Sequence, residues 1–158
     1  MKLGLAIREL HRSESALARD LVAVADRHQV EHEVHHVAND LLRWSHGHLH
    51  ELAAAGTSFG LRLRADIGTS RLAPARRSLS RLAVHRSTPG ILLLADLRRL
   101  HRKAAGVSLD WELLAQGAQV AGDGDLLALA QRCHPQTLRQ LTWANSMLKV
   151  LSPQVLAS

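Results

Sequence analysis

The sequence predicts an all-α fold: a four-helix bundle with one long connection between its second and third helices. Three observations predict it. Apolar residues make up 46% of the 158 residues while aromatics make up 3% and Tyr is absent. Leu, Ala, Arg and His dominate, with no β-branched runs to nucleate strands. Apolar positions recur by threes and fours over several long segments, which is the spacing of one helix face. The length suits a single domain with one core.

The first helix is predicted over about residues 2–28, with the stripe Ile7, Leu10, Glu14, Leu17, Leu21, Val24. Glu14 interrupts that stripe, and an unpaired carboxylate there would be costly. The second helix is expected over about 31–55, stopped by Gly56. It holds six of the eleven histidines, and its stripe runs Val30, Val34, Val37, Leu41, Ser45, His48, Leu52. Two polar steps, Ser45 and His48, therefore sit on a core-facing line.

Residues 56–88 read as a long connection, rich in Gly, Ser and Thr and punctuated by Pro74, with Pro89 just beyond; 75–86 has the pattern of a short helix. The third helix opens with Thr88 as cap and Pro89 at its first position. Its stripe is Leu97, Leu100, Ala104, Val107, Trp111, Leu114, and it ends near Gly122. Asp123 caps the fourth, expected over 123–151 and ending before Pro153. Pro135 lies inside it and should kink it. Gly47 should loosen the second helix in the same way.

The two halves repeat. Residues 7–30 align with 97–120 at an offset of 90 with eight identities, and 43–52 then align with 132–141 one residue out of step. Two similar helical hairpins joined by a long connection imply a bundle of duplicated halves.

This arrangement resembles the ferritin-like superfamily over about residues 2–151. The resemblance implies a di-iron site built from a Glu on one helix of each half and a Glu-x-x-His on the next. Matched residue by residue, Glu14 takes the first Glu position and Ser45-x-x-His48 the first Glu-x-x-His. Ala104 takes the second Glu position and His134-x-x-Thr137 the second Glu-x-x-His. Bridging carboxylates hold two hard cations together, and one Glu with two His does not replace them. The expectation is a bundle that has lost the di-iron centre and works as a non-catalytic structural or interaction protein without a cofactor. The alternative is a single divalent metal, zinc or iron, on Glu14, His48 and His134, with Ser45 and Thr137 as supporting groups.

The formal charge of +6 is concentrated. Seven arginines face one aspartate between residues 56 and 90, while the remaining 13 basic and 13 acidic residues cancel. Arg71, Arg76, Arg77, Arg81 and Arg86 form a candidate patch for an anionic partner. No aromatics are interleaved to stack bases, which weighs against single-stranded nucleic acid. His28, His32, His35, His36, His46 and His50 read as a solvated polar stripe, in which His32 and His36 have chelating spacing. There is no CxxC, phosphate-binding glycine loop or His-Glu-x-x-His. The lone Cys133 forms no internal disulfide and, with no signal peptide and no apolar run long enough to span a bilayer, gives the expectation of a soluble cytoplasmic protein. A homo-oligomer or a protein partner is expected, and no membrane association.

Overall fold

A computed structural model describes residues 2–68 and 88–158. Four α-helices fill them: α1 (Lys2–Arg27), α2 (His32–Thr57), α3 (Pro89–Ala121) and α4 (Gly124–Leu156). The described residues contain no strand. None of these helices is long and apolar enough to cross a membrane. The expected short helix at 75–86 lies outside the described residues.

Local chemistry sets the helix ends. Pro89 sits in the first turn of α3, where its missing N–H costs nothing. Gly122 closes α3 in the left-handed conformation at φ 72°, which glycine adopts without steric cost. The Asp123 side chain accepts from the Leu126 N–H at 3.0 Å and caps α4. The helix α4 runs on beyond the expected stop at Pro153. That proline forfeits only its own N–H bond, and its carbonyl still accepts from the Ala157 N–H. Gly47 and Pro135 both lie within unbroken helix.

Contacts fix the helix directions. Glu14 of α1 faces His48 of α2, and the His35 ring of α2 bonds the Ala25 carbonyl of α1. Asp96 of α3 meets Arg27 of α1, and Asp110 accepts from Ser13 at 2.6 Å. His134 of α4 bonds Ser108 of α3, and Gln140 of α4 bonds Ser45 of α2. Each neighbouring pair is thus antiparallel, around a square in the order α1, α2, α4, α3. The helix α2 ends beside the start of α1 and α3 begins beside its end, so α2 and α3 are parallel. After α2, Phe59 packs against Gly4, and the Arg64 carbonyl meets His11 Nε2 at 2.7 Å.

The stripes of α1 and α3 are buried at every step from Ile7 to Val24 and from Leu97 to Leu114. In α2 the stripe is buried from Leu41 to Leu52, whereas Val30 precedes the helix and is 84% exposed. The helices α2 and α4 approach each other least closely of the four neighbouring pairs. Polar side chains bridge that seam.

Candidate functional site

The stripe of α1 delivers Glu14 to the middle of the bundle, with no exposed surface, and the stripe of α2 delivers Ser45 and His48 beside it. His48 Nδ1 lies 3.3 Å from Glu14 Oε2. The two atoms are in contact but not aligned as a hydrogen bond. The other ring nitrogen, Nε2, lies 2.8 Å from Gln136 Oε1. A carbonyl oxygen only accepts, so Nε2 carries hydrogen. Trp111 completes the wall, its ring roughly perpendicular to that of His48 with centroids 5.6 Å apart.

From α4 come Thr137 and Gln140, both buried. Gln140 Nε2 donates to the Leu41 carbonyl and to Ser45 Oγ, each at 3.0 Å. Both Glu14 oxygens, His48 Nδ1, Thr137 Oγ1 and Gln140 Oε1 are buried without a hydrogen bond. These atoms have capacity left to bind water or a cation.

The structure does not bring His134 to this group. Its Nε2 bonds Ser108 Oγ of α3 at 2.8 Å, and the ring is half-buried. The reason is register. Burial in α4 follows that in α2 at an offset of 92: Val34 with Leu126, Ala38 with Ala130, Leu41 with Cys133, Ser45 with Thr137, His48 with Gln140, Leu52 with Ala144. The offset of 89 read from sequence is three residues short. The counterpart of Ser45-x-x-His48 is therefore Thr137-x-x-Gln140. The offset of 90 between α1 and α3 pairs Glu14 with Ala104, both buried. Among the described residues, no three His, Cys, Asp or Glu side chains gather into a group able to hold a metal ion.

A second polar cluster, absent from the sequence reading, lies where α1 ends beside the start of α3. Asp96 is 1% exposed and is engaged by Arg27, by Arg99 and, at 2.8 Å, by His28 Nε2. Burial by itself would raise the Asp96 carboxyl. Hydrogen bonds from His28 and Arg27, with the charges of Arg27 and Arg99, outweigh it and hold the group below its usual range. Asp20 extends the network to Arg99 and Lys103. His28 is thus buried and bonded rather than solvated.

The remaining candidates separate. His32 and His36 stack with ring centroids 6.4 Å apart, while His35 is tied to α1. Cys133 is buried, and burial pushes its thiol up to about 12, which leaves it un-ionised and unreactive at neutral pH. Arg71, Arg76, Arg77, Arg81 and Arg86 lie outside the described residues. Compared with known protein families, curated proteins and solved structures, the chain matches none.

Proposed function

We propose that the chain is a ferritin-like bundle without di-iron chemistry, a non-catalytic protein that acts through its surface as a structural or interaction module. The donor set of the central layer carries this reading. The positions that would hold two irons are Glu14, Ser45, His48, Ala104, Thr137 and Gln140, which supply one carboxylate and one imidazole. Two hard cations need bridging carboxylates to offset their charge, so these residues do not fit a di-iron centre. Antiparallel neighbours and parallel α2 and α3 support the ferritin-like part of the reading. The buried Glu14–His48 contact then serves to fix helix register.

One observation favours a second reading, a single divalent metal. Glu14, His48, Thr137 and Gln140 each present a buried polar atom with no hydrogen bond. Here the ligands are Glu14 and His48 with Gln140 or Thr137, in place of His134. Elemental analysis of protein purified without an affinity tag separates the two. The first reading expects no stoichiometric metal and a melting temperature unchanged by chelator. Stoichiometric zinc or iron, with a melting temperature lowered by chelator in wild type but not in Glu14→Ala, establishes the second.

A further inference from the structure

We propose that His32 and His36 form a chelating site for a late first-row divalent metal, copper(II) most tightly, on the outer face of α2. The site lies outside the central layer and does not depend on either reading of that layer.

The two histidines stand one helical turn apart at the start of α2 and so lie one above the other on one face. Both are exposed, their rings are inclined at 14°, and the centroids are 6.4 Å apart. An imidazole nitrogen sits about 2.0–2.1 Å from a metal that it binds, which limits two rings on one ion to a centroid separation of about 6.5 Å. The pair lies at the upper end of that range. Neither ring makes a hydrogen bond among the described residues, so a turn of either side chain closes the chelate. Their neighbour His35 is fixed: its Nδ1 donates to the Ala25 carbonyl at 2.8 Å. Its ring stands roughly perpendicular to that of His36 with centroids 5.2 Å apart, and so buttresses it.

Donor type narrows the metal. Among the described residues no third His, Cys, Asp or Glu completes the group, so water fills the remaining positions. Two nitrogen donors with water oxygens suit the tetragonal geometry of copper(II), which also heads the affinity order of the divalent first-row metals.

Charge favours a cation here. No lysine or arginine lies between Arg27 and Arg43, whereas Glu31, Glu33 and Asp40 do. Asp40 is taken by Arg43, but Glu31 and Glu33 form no ion pair among the described residues. Both stand at the start of α2, where they offset the positive end of the helix dipole, which otherwise opposes a bound cation. The same turn lacks a side-chain cap, since Glu31 makes no capping hydrogen bond. A chelate from His32 to His36 ties this first turn to the next, so metal binding stabilises the start of the helix. His46 and His50 repeat the spacing and are exposed, but no ring contact joins them, and the acid beside them, Glu51, is engaged by Arg132. They serve as the internal control.

The test is titration of the untagged, dialysed full chain with copper(II), followed by calorimetry and electron paramagnetic resonance. One tight equivalent is expected, with splitting from two coordinated imidazole nitrogens. His32→Ala and His36→Ala should each weaken it by more than the roughly tenfold that even loss of an outer-shell group costs. Because both residues are exposed, the circular dichroism of these variants should match wild type. His46→Ala combined with His50→Ala should leave the tight site unchanged, as should Glu14→Ala. Binding indifferent to His32 and His36, or weakened equally by loss of either pair, marks unspecific surface binding and overturns the proposal. Binding lost in Glu14→Ala but kept in His36→Ala also overturns it and places the metal in the central layer, so the two sites are told apart by which variant fails.

Discussion

Two buried carboxylates in this bundle are handled in opposite ways. Asp96, where α1 ends, has both oxygens engaged: Oδ1 by Arg99, Oδ2 by Arg27 and His28. Glu14, in the central layer, has one imidazole nitrogen at 3.3 Å and no hydrogen bond on either oxygen. The end of the bundle admits long cationic side chains whose stems reach solvent; Arg27 and Arg99 are 17% and 45% exposed. The centre admits only what four apolar stripes leave room for. A buried charge near an end can be fully saturated, whereas one at the centre depends on a short list of neighbours.

Removing Asp96 should therefore have the largest effect. Asp96→Ala is expected to cost about 3 kcal/mol in urea unfolding, because Arg27, His28 and Arg99 lose their common acceptor. The same group gives a pH dependence of definite sign. Its folded value lies below the ordinary one, so its stabilisation is fully present above the usual carboxylate value of about 3.9 and is lost as pH falls through the folded value. Wild type should lose stability in acid below about pH 4 more steeply than Asp96→Asn. Parallel acid profiles would show that ionisation of Asp96 adds nothing to stability.

The central pair should be worth less. Glu14→Ala is expected to cost about 1–3 kcal/mol, since it removes the carboxylate 3.3 Å from His48 Nδ1 and leaves a cavity in the core. Replacing both members, Glu14→Leu with His48→Leu, should restore stability to within about 1 kcal/mol of wild type or exceed it, because paired apolar groups need no desolvation. A double variant much weaker than Glu14→Ala would mean that the pair stabilises the fold outright, and the contrast with Asp96 would narrow.

The two sites also differ in how legible they were. Glu14, Ser45 and His48 were readable because each interrupts an apolar stripe of clear period. Asp96 was not, since its partners Arg27 and His28 come from the end of α1 and the residue after it, and only Arg99 lies within a turn. Its one local signal is an acid set within the apolar run of residues 91–97. The register of α4 was misread for a different reason. Its buried stripe, Cys133, Thr137, Gln140 and Ala144, is made of small and polar residues with little hydrophobic contrast. The identities that set the offset of 89 include Arg43 with Arg132 and Leu49 with Leu138; both arginines are exposed, and Leu138 is 41% exposed. Leu49 and Leu52 are fully buried while their identical counterparts Leu138 and Leu141 are not, so identity alone paired residues of unlike burial and carried the alignment out of step with the core.

The smallest expected effect tests the central layer most sharply. Thr137 is fully buried and its hydroxyl has no hydrogen bond. Thr137→Val keeps the branched shape and exchanges an unpaired polar atom for a methyl group. A buried hydroxyl without a partner carries its desolvation penalty uncompensated. The variant should therefore match wild type or be more stable by up to about 1 kcal/mol. The sign is the informative part. If Thr137→Val instead unfolds more easily by more than about 1 kcal/mol, the hydroxyl bonds something in solution, and the polar atoms of Glu14, Thr137 and Gln140 share it. Repeating that measurement with chelator then distinguishes the occupants: a metal-dependent difference between wild type and variant disappears, and one due to a buried water persists.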